Sequence, residues 1–208
     1  MNDRDHPAGH TRRALWLTTA LAVGCAATQT TVHTPPQSEP STTDTSATPV
    51  LTTLGDPEPL FAIDAFALVD AAADLWPEHR PDPVICDGVG FHAEDDYLEV
   101  ETGACNYAAA DAPLIASVGV DDELELLFWH NTLASVEPTV GHAALSIDGA
   151  LVWELNVEIP GDAAIYTDVF SSPVSAPEGA TLHYHVHNHG ENSWRLGMLT
   201  VRHRIVVE

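Results

Sequence analysis

Four histidines alternate with other residues in one short stretch, the densest group of side chains in this chain that could do chemistry. The stretch runs from Thr181 to His189. Because alternate residues of a β-strand lie on the same face, a strand here buries its apolar residues and turns the histidines to the opposite face. The histidines of that face are His183, His185 and His187.

Imidazoles two residues apart on a strand are suited to bind a transition metal ion. Zinc and copper both accept neutral imidazole nitrogens. His130 and His142 lie on other expected strands, and the sheet could bring them close to the row. The alternative is a row of solvated polar side chains on the outer face of the sheet. The sequence leaves both interpretations open: a Zn or Cu site, or no cofactor.

Tryptophan side chains offer a second kind of binding site. Carbohydrate recognition needs an aromatic ring that stacks on a sugar face, with amide or carboxylate groups nearby. Trp194 and Asn192 adjoin an expected turn, and Trp129 occupies a strand position that alternation places on an exposed face. Packing in the core is the alternative for these tryptophans. We expect a non-catalytic domain that binds a carbohydrate or a surface protein, with a metal-binding protein and a structural envelope protein as alternatives.

Short motifs that mark common active sites are missing from the sequence. It contains no Gly-x-Ser-x-Gly nucleophile elbow, no His-Glu-x-x-His zinc helix and no glycine-rich phosphate loop. Its acidic clusters do not match the ligand spacing of a calcium-binding loop. These observations favour a role without catalysis.

The charge balance excludes one class of partner. The 208 residues include 31 Asp and Glu against 7 Lys and Arg, for a net charge of −24. Nucleic-acid binding draws on clustered basic side chains that neutralise phosphates, and a chain this acidic would be repelled. We therefore expect no nucleic-acid partner.

The N-terminal region resembles a bacterial lipoprotein signal peptide. A basic pair, Arg12-Arg13, precedes an apolar run from Ala14 to Val23 and then Gly24-Cys25. The run is too short to cross a bilayer but fits a secretory signal. The resemblance implies a signal peptide over residues 1–24, lipid on Cys25, and anchoring at the outer membrane or cell surface. Export by the twin-arginine route or by the general secretory route remains open.

Composition divides the rest of the chain into a tether and a domain. Residues 25–59 are rich in Thr, Ser and Pro, which predicts a disordered tether. Residues 60–208 then form the domain. With Cys25 lipidated, Cys86 and Cys105 are left as a pair in an oxidising compartment, which predicts a disulfide.

Periodicity predicts that the domain is mainly β, an antiparallel β-sandwich of jelly-roll type with a short N-terminal helix. Asp64 could cap that helix, which would end at Trp76 before Pro77. Asp148-Gly149 has the chemistry of a two-residue hairpin turn. Period-two patterns and turn residues define the expected strands. They cover residues 97–102, 114–118, 123–130, 142–147, 151–159, 165–170, 181–188 and 194–207.

Several segments together resemble uncharacterised predicted lipoproteins of high-GC bacteria. They are Cys86-Asp87-Gly88, residues 99–107, Trp129-His130 and residues 187–194. That resemblance implies a domain boundary and a fold, and no function. The Asn-x-Gly-x-Asn-x-Trp pattern ahead of the last strand is more distantly similar to jelly-roll carbohydrate-binding modules of the galactose-binding type. It implies a sugar as the ligand.

Overall fold

A computed structural model describes residues 51–207 of the chain. The expected signal peptide over residues 1–24, the lipidation site Cys25 and the tether as far as residue 50 lie outside the described residues. Among residues 51–207, no helix is long and apolar enough to span a membrane.

The described residues form short and long β-strands with two single turns of 3-10 helix, Ile63–Ala65 and Pro77–His79. The strands are β1 Thr52–Leu54, β2 Glu58–Pro59, β3 Ala67–Leu68, β4 Phe91–Ala93, β5 Leu98–Glu101, β6 Tyr107–Pro113, β7 Glu123–His130, β8 Thr139–Ile147, β9 Ala150–Ile159, β10 Ala164–Ser171, β11 Thr181–His187, β12 Ser193–Arg202 and β13 Arg204–Val206.

Two antiparallel sheets pack face to face, as the sequence predicts. The first sheet has the order β10-β7-β12-β5-β4, with β2 also paired to β12, and the second has the order β3-β6-β11-β8-β9. From β5 to β12 the chain passes repeatedly between the sheets, and only β8 and β9 are consecutive in one of them. This connectivity is that of a jelly roll, so the predicted antiparallel β-sandwich is confirmed.

The core lies between the two sheets and follows the predicted alternation. On β7, Leu124, Leu126 and Phe128 are fully buried, and they alternate with half-buried residues. On β11, Leu182, Tyr184 and Val186 point inward and are also fully buried. Period-two burial on both strands is what a sheet with one face on a core requires.

A tight turn joins β8 to β9 at the predicted position. Asp148 and Gly149 both have positive φ, 47° and 81°. Two central residues of this kind make the turn whose twist suits an antiparallel hairpin, and Asp-Gly is a preferred pair for it. The hairpin sets the register that places His142 of β8 opposite Asn156 of β9.

The helix predicted from Asp64 to Trp76 is absent, which corrects the sequence-based expectation. A single 3-10 turn ends at Ala65, and β3 follows and pairs with β6. Val69 N–H continues this pairing by donating to the Ala109 carbonyl at 2.9 Å. A short isolated helix is costly to nucleate, whereas the open edge of β6 offers ready backbone partners, so the segment extends along the sheet.

Two boundaries also differ from the sequence-based ones. Residues 52–59, expected in the tether, contain β1 and β2, which pair with β13 and β12. The ordered domain thus begins before residue 60. Residues 114–118 do not form the expected strand: Leu114 is buried, but the segment makes only a single bridge, between Val118 and Ala176.

The predicted disulfide between Cys86 and Cys105 is present. Cys105 lies just before β6, and the two cysteines also face each other as a single antiparallel bridge. The disulfide therefore fastens the chain that precedes β4 to the start of β6, next to the site described below.

Candidate metal centre

His185 occupies the middle of the outer face of the second sheet. Its register partners on the neighbouring strands are Ala109 of β6 and Ala144 of β8. These small side chains leave room above the sheet on both sides of the imidazole. The sequence allowed a solvated row here, yet His185 has 0% of its surface exposed. A covering segment must therefore lie over it.

That covering segment, which we call the strap, consists of residues 74–80. Its anchor is Asp74, a buried residue whose carboxylate accepts hydrogen bonds from Tyr107 Oη at 2.6 Å and from Arg80 Nη1 at 2.9 Å. The Trp76 N–H also donates to Asp74, at 2.9 Å. Burial raises the pKa of Asp74, but these hydrogen bonds outweigh it and hold the pKa below its ordinary value. The ionised carboxylate fixes the strap to β6.

The strap places two rings over His185. The Trp76 indole stacks on the His185 imidazole, with centroids 4.8 Å apart and an angle of 15° between the planes. His79 reaches from the end of the strap, and its Nδ1 lies 3.1 Å from His185 Nε2. The apolar indole excludes water from His185 while His79 adds a second imidazole nitrogen.

His142 supplies the third ring from β8. Each of His79, His142 and His185 offers one ring nitrogen, and the three nitrogens lie within 4.8 Å of one another. His142 Nε2 is 2.8 Å from a carboxylate oxygen of Glu154 on β9. Its Nδ1 is buried and has no hydrogen-bond partner among the described residues. A carboxylate that holds one nitrogen of a ligand histidine orients the ring and makes the other nitrogen a better donor.

Burial keeps the His142 and His185 rings neutral. It lowers the pKa of His185 to about 2, with smaller contributions from the neighbouring imidazoles. Burial also lowers the pKa of His142, although Glu154 opposes it, and lowers the pKa of the adjacent His187 to about 4. Neutral imidazole is the form that binds a metal ion, so no proton has to leave His142 or His185 at neutral pH.

The spacing of the three nitrogens suits a transition metal. Zinc binds imidazole nitrogen at about 2.0–2.1 Å, so tetrahedral ligands are separated by about 3.4 Å. The pair from His79 and His185 is 3.1 Å apart already. The other two nitrogen–nitrogen distances are at most 4.8 Å. They would have to shorten by at most about 1.4 Å, a shift that small ring rotations can supply. Copper accepts the same three-nitrogen set.

The structure brings together some of the histidines that the sequence singles out. His185 and His142 converge, and His187 lies at the margin, with its ring 5.1 Å from that of His79. His183 and His130 do not join them, which corrects their assignment. His183 Nδ1 pairs with Asp111 at 2.6 Å, and His130 lies in the other sheet, against Trp194 at 5.0 Å.

Sequence reasoning missed His79 because it belongs to no strand. Its position depends on the strap, and the strap is held by contacts such as that between Asp74 and Tyr107, 33 residues apart. The one local signal was a histidine just after Trp76-Pro77, at the point where the helix was expected to stop.

The aromatic residues expected to face a ligand are mostly internal. Trp194 is fully buried against Phe128 and His130. Asn192 is also buried, and its Oδ1 accepts a hydrogen bond from the Ala134 N–H at 2.6 Å. Neither can contact a sugar, which corrects their assignment as ligand-binding residues. Trp194 points inward because side chains of β12 alternate between the two faces of the sheet. Asn192 points inward because its side-chain amide hydrogen-bonds backbone groups near the turn before β12.

Trp129 remains half-buried on the outer face of the first sheet. Its ring lies over Gly197, where a Cβ would come within 2.6 Å of the indole. Tyr97 packs edge-on against it at 5.2 Å. The Arg195 guanidinium lies 5.5 Å from the Tyr97 ring and pairs with Glu99. This group is an aromatic surface flanked by charged side chains.

Comparisons with known proteins assign the chain to no family. No protein-family model matches it, and no curated protein matches it.

Several solved structures resemble part of the chain at low scores. A CBM4 structure has 12% identity and a TM-score of 0.32, covering 53% of this chain and 82% of that one. TmCBM61 in complex with β-1,4-galactotriose has 9% identity and a TM-score of 0.33, covering 76% and 89%. The Agl-KA catalytic domain has 11% identity and a TM-score of 0.35, covering 54% of this chain and 22% of that one. At TM-scores this low, the likenesses carry no argument about ligand or activity.

Proposed function

We propose that this protein binds a transition metal ion, copper or zinc, at His79, His142 and His185. The observation that carries the proposal is the convergence of three imidazole nitrogens within 4.8 Å in a site that buries two of the rings. Nδ1 of His79 and Nε2 of His185 are within hydrogen-bond distance at 3.1 Å. Burying polar nitrogens is unfavourable unless they have partners, and one metal ion would be a partner for all three rings.

The surroundings of the three rings support the same conclusion. Nδ1 of His142 is buried without a hydrogen-bond partner among residues 51–207. Buried polar atoms are normally hydrogen-bonded, and an unpaired one calls for an explanation such as a bound ion. Glu154 provides the orienting carboxylate commonly found behind a ligand histidine.

Elemental analysis of the tag-free protein tests this function. We expect about one equivalent of copper or zinc per chain and a rise in melting temperature when either ion is added. The His79→Gln variant should lose this ion, because the substitution removes a ligand from the half-buried strap and leaves the core intact. Less than about 0.1 equivalent in the wild-type protein, with no thermal shift from either ion, contradicts the proposal.

The matched control is His183→Gln. His183 lies on the same strand and the same face as His185, but its ring is paired with Asp111. We expect this variant to bind metal like the wild-type protein. Equal losses in both variants would mean that metal binding is not specific to His79, His142 and His185.

Carbohydrate is a second candidate ligand, and the surface around Trp129 is the observation in its favour. An indole that lies over Gly197 beside Tyr97, with Arg195 and Glu99 adjacent, combines a stacking ring with groups for hydroxyls. A glycan array with Trp129→Ala tests it. Lost binding supports the assignment, whereas an array without hits for the wild-type protein removes the candidate.

We also propose that the chain is exported and anchored to the outer membrane or cell surface by lipid on Cys25. The sequence pattern ending in Gly24-Cys25 supports it, as does the disulfide in the domain, since disulfides persist in oxidising compartments.

A further inference from the structure

Two more histidines continue from the metal centre toward solvent. His187 is the next residue on the same face of β11, and its ring centroid lies 5.1 Å from that of His79. His189 follows in the turn after β11, and its ring lies 4.8 Å from that of His187. Burial decreases along this series: His185 is fully buried, His187 is half-buried and His189 is exposed.

The turn that carries His189 is held firmly against the sandwich. Buried Asn192 donates through Nδ2 to the His189 carbonyl at 3.2 Å and to Asn188 Oδ1 at 3.1 Å. Thr102 Oγ1, also buried, donates to the Gly190 carbonyl at 2.7 Å. These contacts fix the turn to the end of β5 and the start of β12. His189 therefore keeps a defined position relative to His187.

The strap blocks the direct approach to His185. Trp76 covers the ring, and the carboxylate of Asp74 ties the strap to Tyr107 and Arg80. An ion that approached His185 from the Trp76 side would have to break those buried hydrogen bonds first. The histidine series needs no such opening, because adjacent rings lead from buried His185 through half-buried His79 and His187 to exposed His189.

We propose that His187 and His189 form an outer loading site that takes the metal ion from solvent and passes it through His79 to the buried centre. This inference rests on the proposed metal-binding function. The ligand is a copper or zinc ion, which exchanges one imidazole nitrogen for the next without change of oxidation state. The step into the centre, from His187 to His79, spans 5.1 Å between ring centroids. An ion held about 2.1 Å from one nitrogen is within reach of the next ring.

The test compares loading rates of the full chain with those of His189→Gln. Stopped-flow tryptophan fluorescence follows Cu²⁺ addition, because Trp76 lies on His185 and its emission reports occupancy of the inner centre. We expect His189→Gln to load about tenfold more slowly, as it would on losing a site that captures and steers the ion. The affinity at equilibrium should not change, so release to a chelator must slow by the same factor.

Three outcomes separate the loading site from the proposed function. Loading of His189→Gln at the wild-type rate overturns the loading site and leaves the inner centre standing. A second bound equivalent in the wild-type protein that His189→Gln loses, with an unchanged loading rate, also overturns it, because the outer pair would then hold its own ion. A wild-type protein that binds no metal removes the proposed function itself. His183→Gln, with its ring paired to Asp111, is the control and should load normally.

Discussion

His185 is an imidazole that the fold keeps out of water. Small neighbours on the adjacent strands, the Trp76 indole above it and the sheet below it leave its ring without solvent contact. Such a ring resists protonation, because the charged form loses its hydration when buried. This property keeps the ring available to a metal ion, and it also links the stability of the metal-free protein to pH.

Metal-free protein should lose stability as the pH falls below about 6.5, the ordinary pKa of histidine. The folded-state pKa of His185 is about 2, so between these values the unfolded chain binds a proton that the folded chain does not. Each such group lowers the free energy of unfolding by about 1.4 kcal/mol per pH unit. His142 and His187, whose pKa values are also lowered, act in the same direction.

Urea unfolding at about pH 7.5 and about pH 5.5 measures this loss of stability. Both pH values lie above the ordinary pKa values of Asp and Glu, so the comparison reports mainly on histidines. In His185→Gln, the free energy of unfolding should change less between the two pH values, because the contribution of one histidine is removed. Equal stability of the wild-type protein at both pH values would contradict the prediction.

We expect Glu154 to act on the proposed metal centre through His142. Its carboxylate lies 2.8 Å from Nε2 of that ring, and Nδ1 has no hydrogen-bond partner among the described residues. Glu154→Gln should weaken metal binding by about tenfold, the lower end of what removing such a partner costs. Glu158→Gln is the matched control, because Glu158 is an exposed residue of the same strand. Competition titration against a chelator measures both variants, and identical affinities would remove Glu154 from the site.

The strap is the element on which the centre depends, and Tyr107 is its main fastening. Tyr107→Phe removes the hydrogen bond to Asp74 and leaves a buried carboxylate with fewer donors. A buried acceptor that loses its partner costs about 1–3 kcal/mol. We expect a weaker hold on His79 and therefore a lower metal affinity, with the β-sandwich still folded.

Metal titration together with circular dichroism checks the effect of Tyr107→Phe. Tyr97→Phe, in the bend between β4 and β5, is the control, since Tyr97 contacts Trp129 of the first sheet. Unchanged affinity in Tyr107→Phe would show that the strap does not position His79.

Regular elements of this fold could be predicted from sequence, whereas the strap could not. Period-two alternation identified β7 and β11, and Asp148-Gly149 identified the hairpin turn, because each signal is contained within a few residues. The expected helix was wrong because the open edge of β6 captured the segment as β3. His142 and His185 were identifiable as strand residues, but His79 depends on contacts between residues distant in sequence.

At the scale of the whole molecule, the negative charge bears on how the protein is held at a membrane. A chain with net charge −24 is repelled by anionic lipid surfaces, so electrostatic attraction cannot hold it there. Attachment at the position we propose must then come from acyl chains. One chain gives only marginal binding, and stable anchoring takes two hydrophobic attachments, as in a diacylated cysteine.

Cys25→Ser should therefore move the protein from the membrane fraction to the soluble fraction and abolish labelling with radioactive palmitate. Gly24 and Cys25 precede the described sandwich by more than twenty residues, so we expect the variant to keep the Cys86–Cys105 disulfide and to load metal like the wild-type protein. Cell fractionation, labelling and mass spectrometry with and without reductant measure these properties. Palmitate that stays bound after Cys25→Ser would place the lipid on another residue. Free thiols at Cys86 and Cys105 in the wild-type protein would contradict export, because an oxidising compartment favours their disulfide.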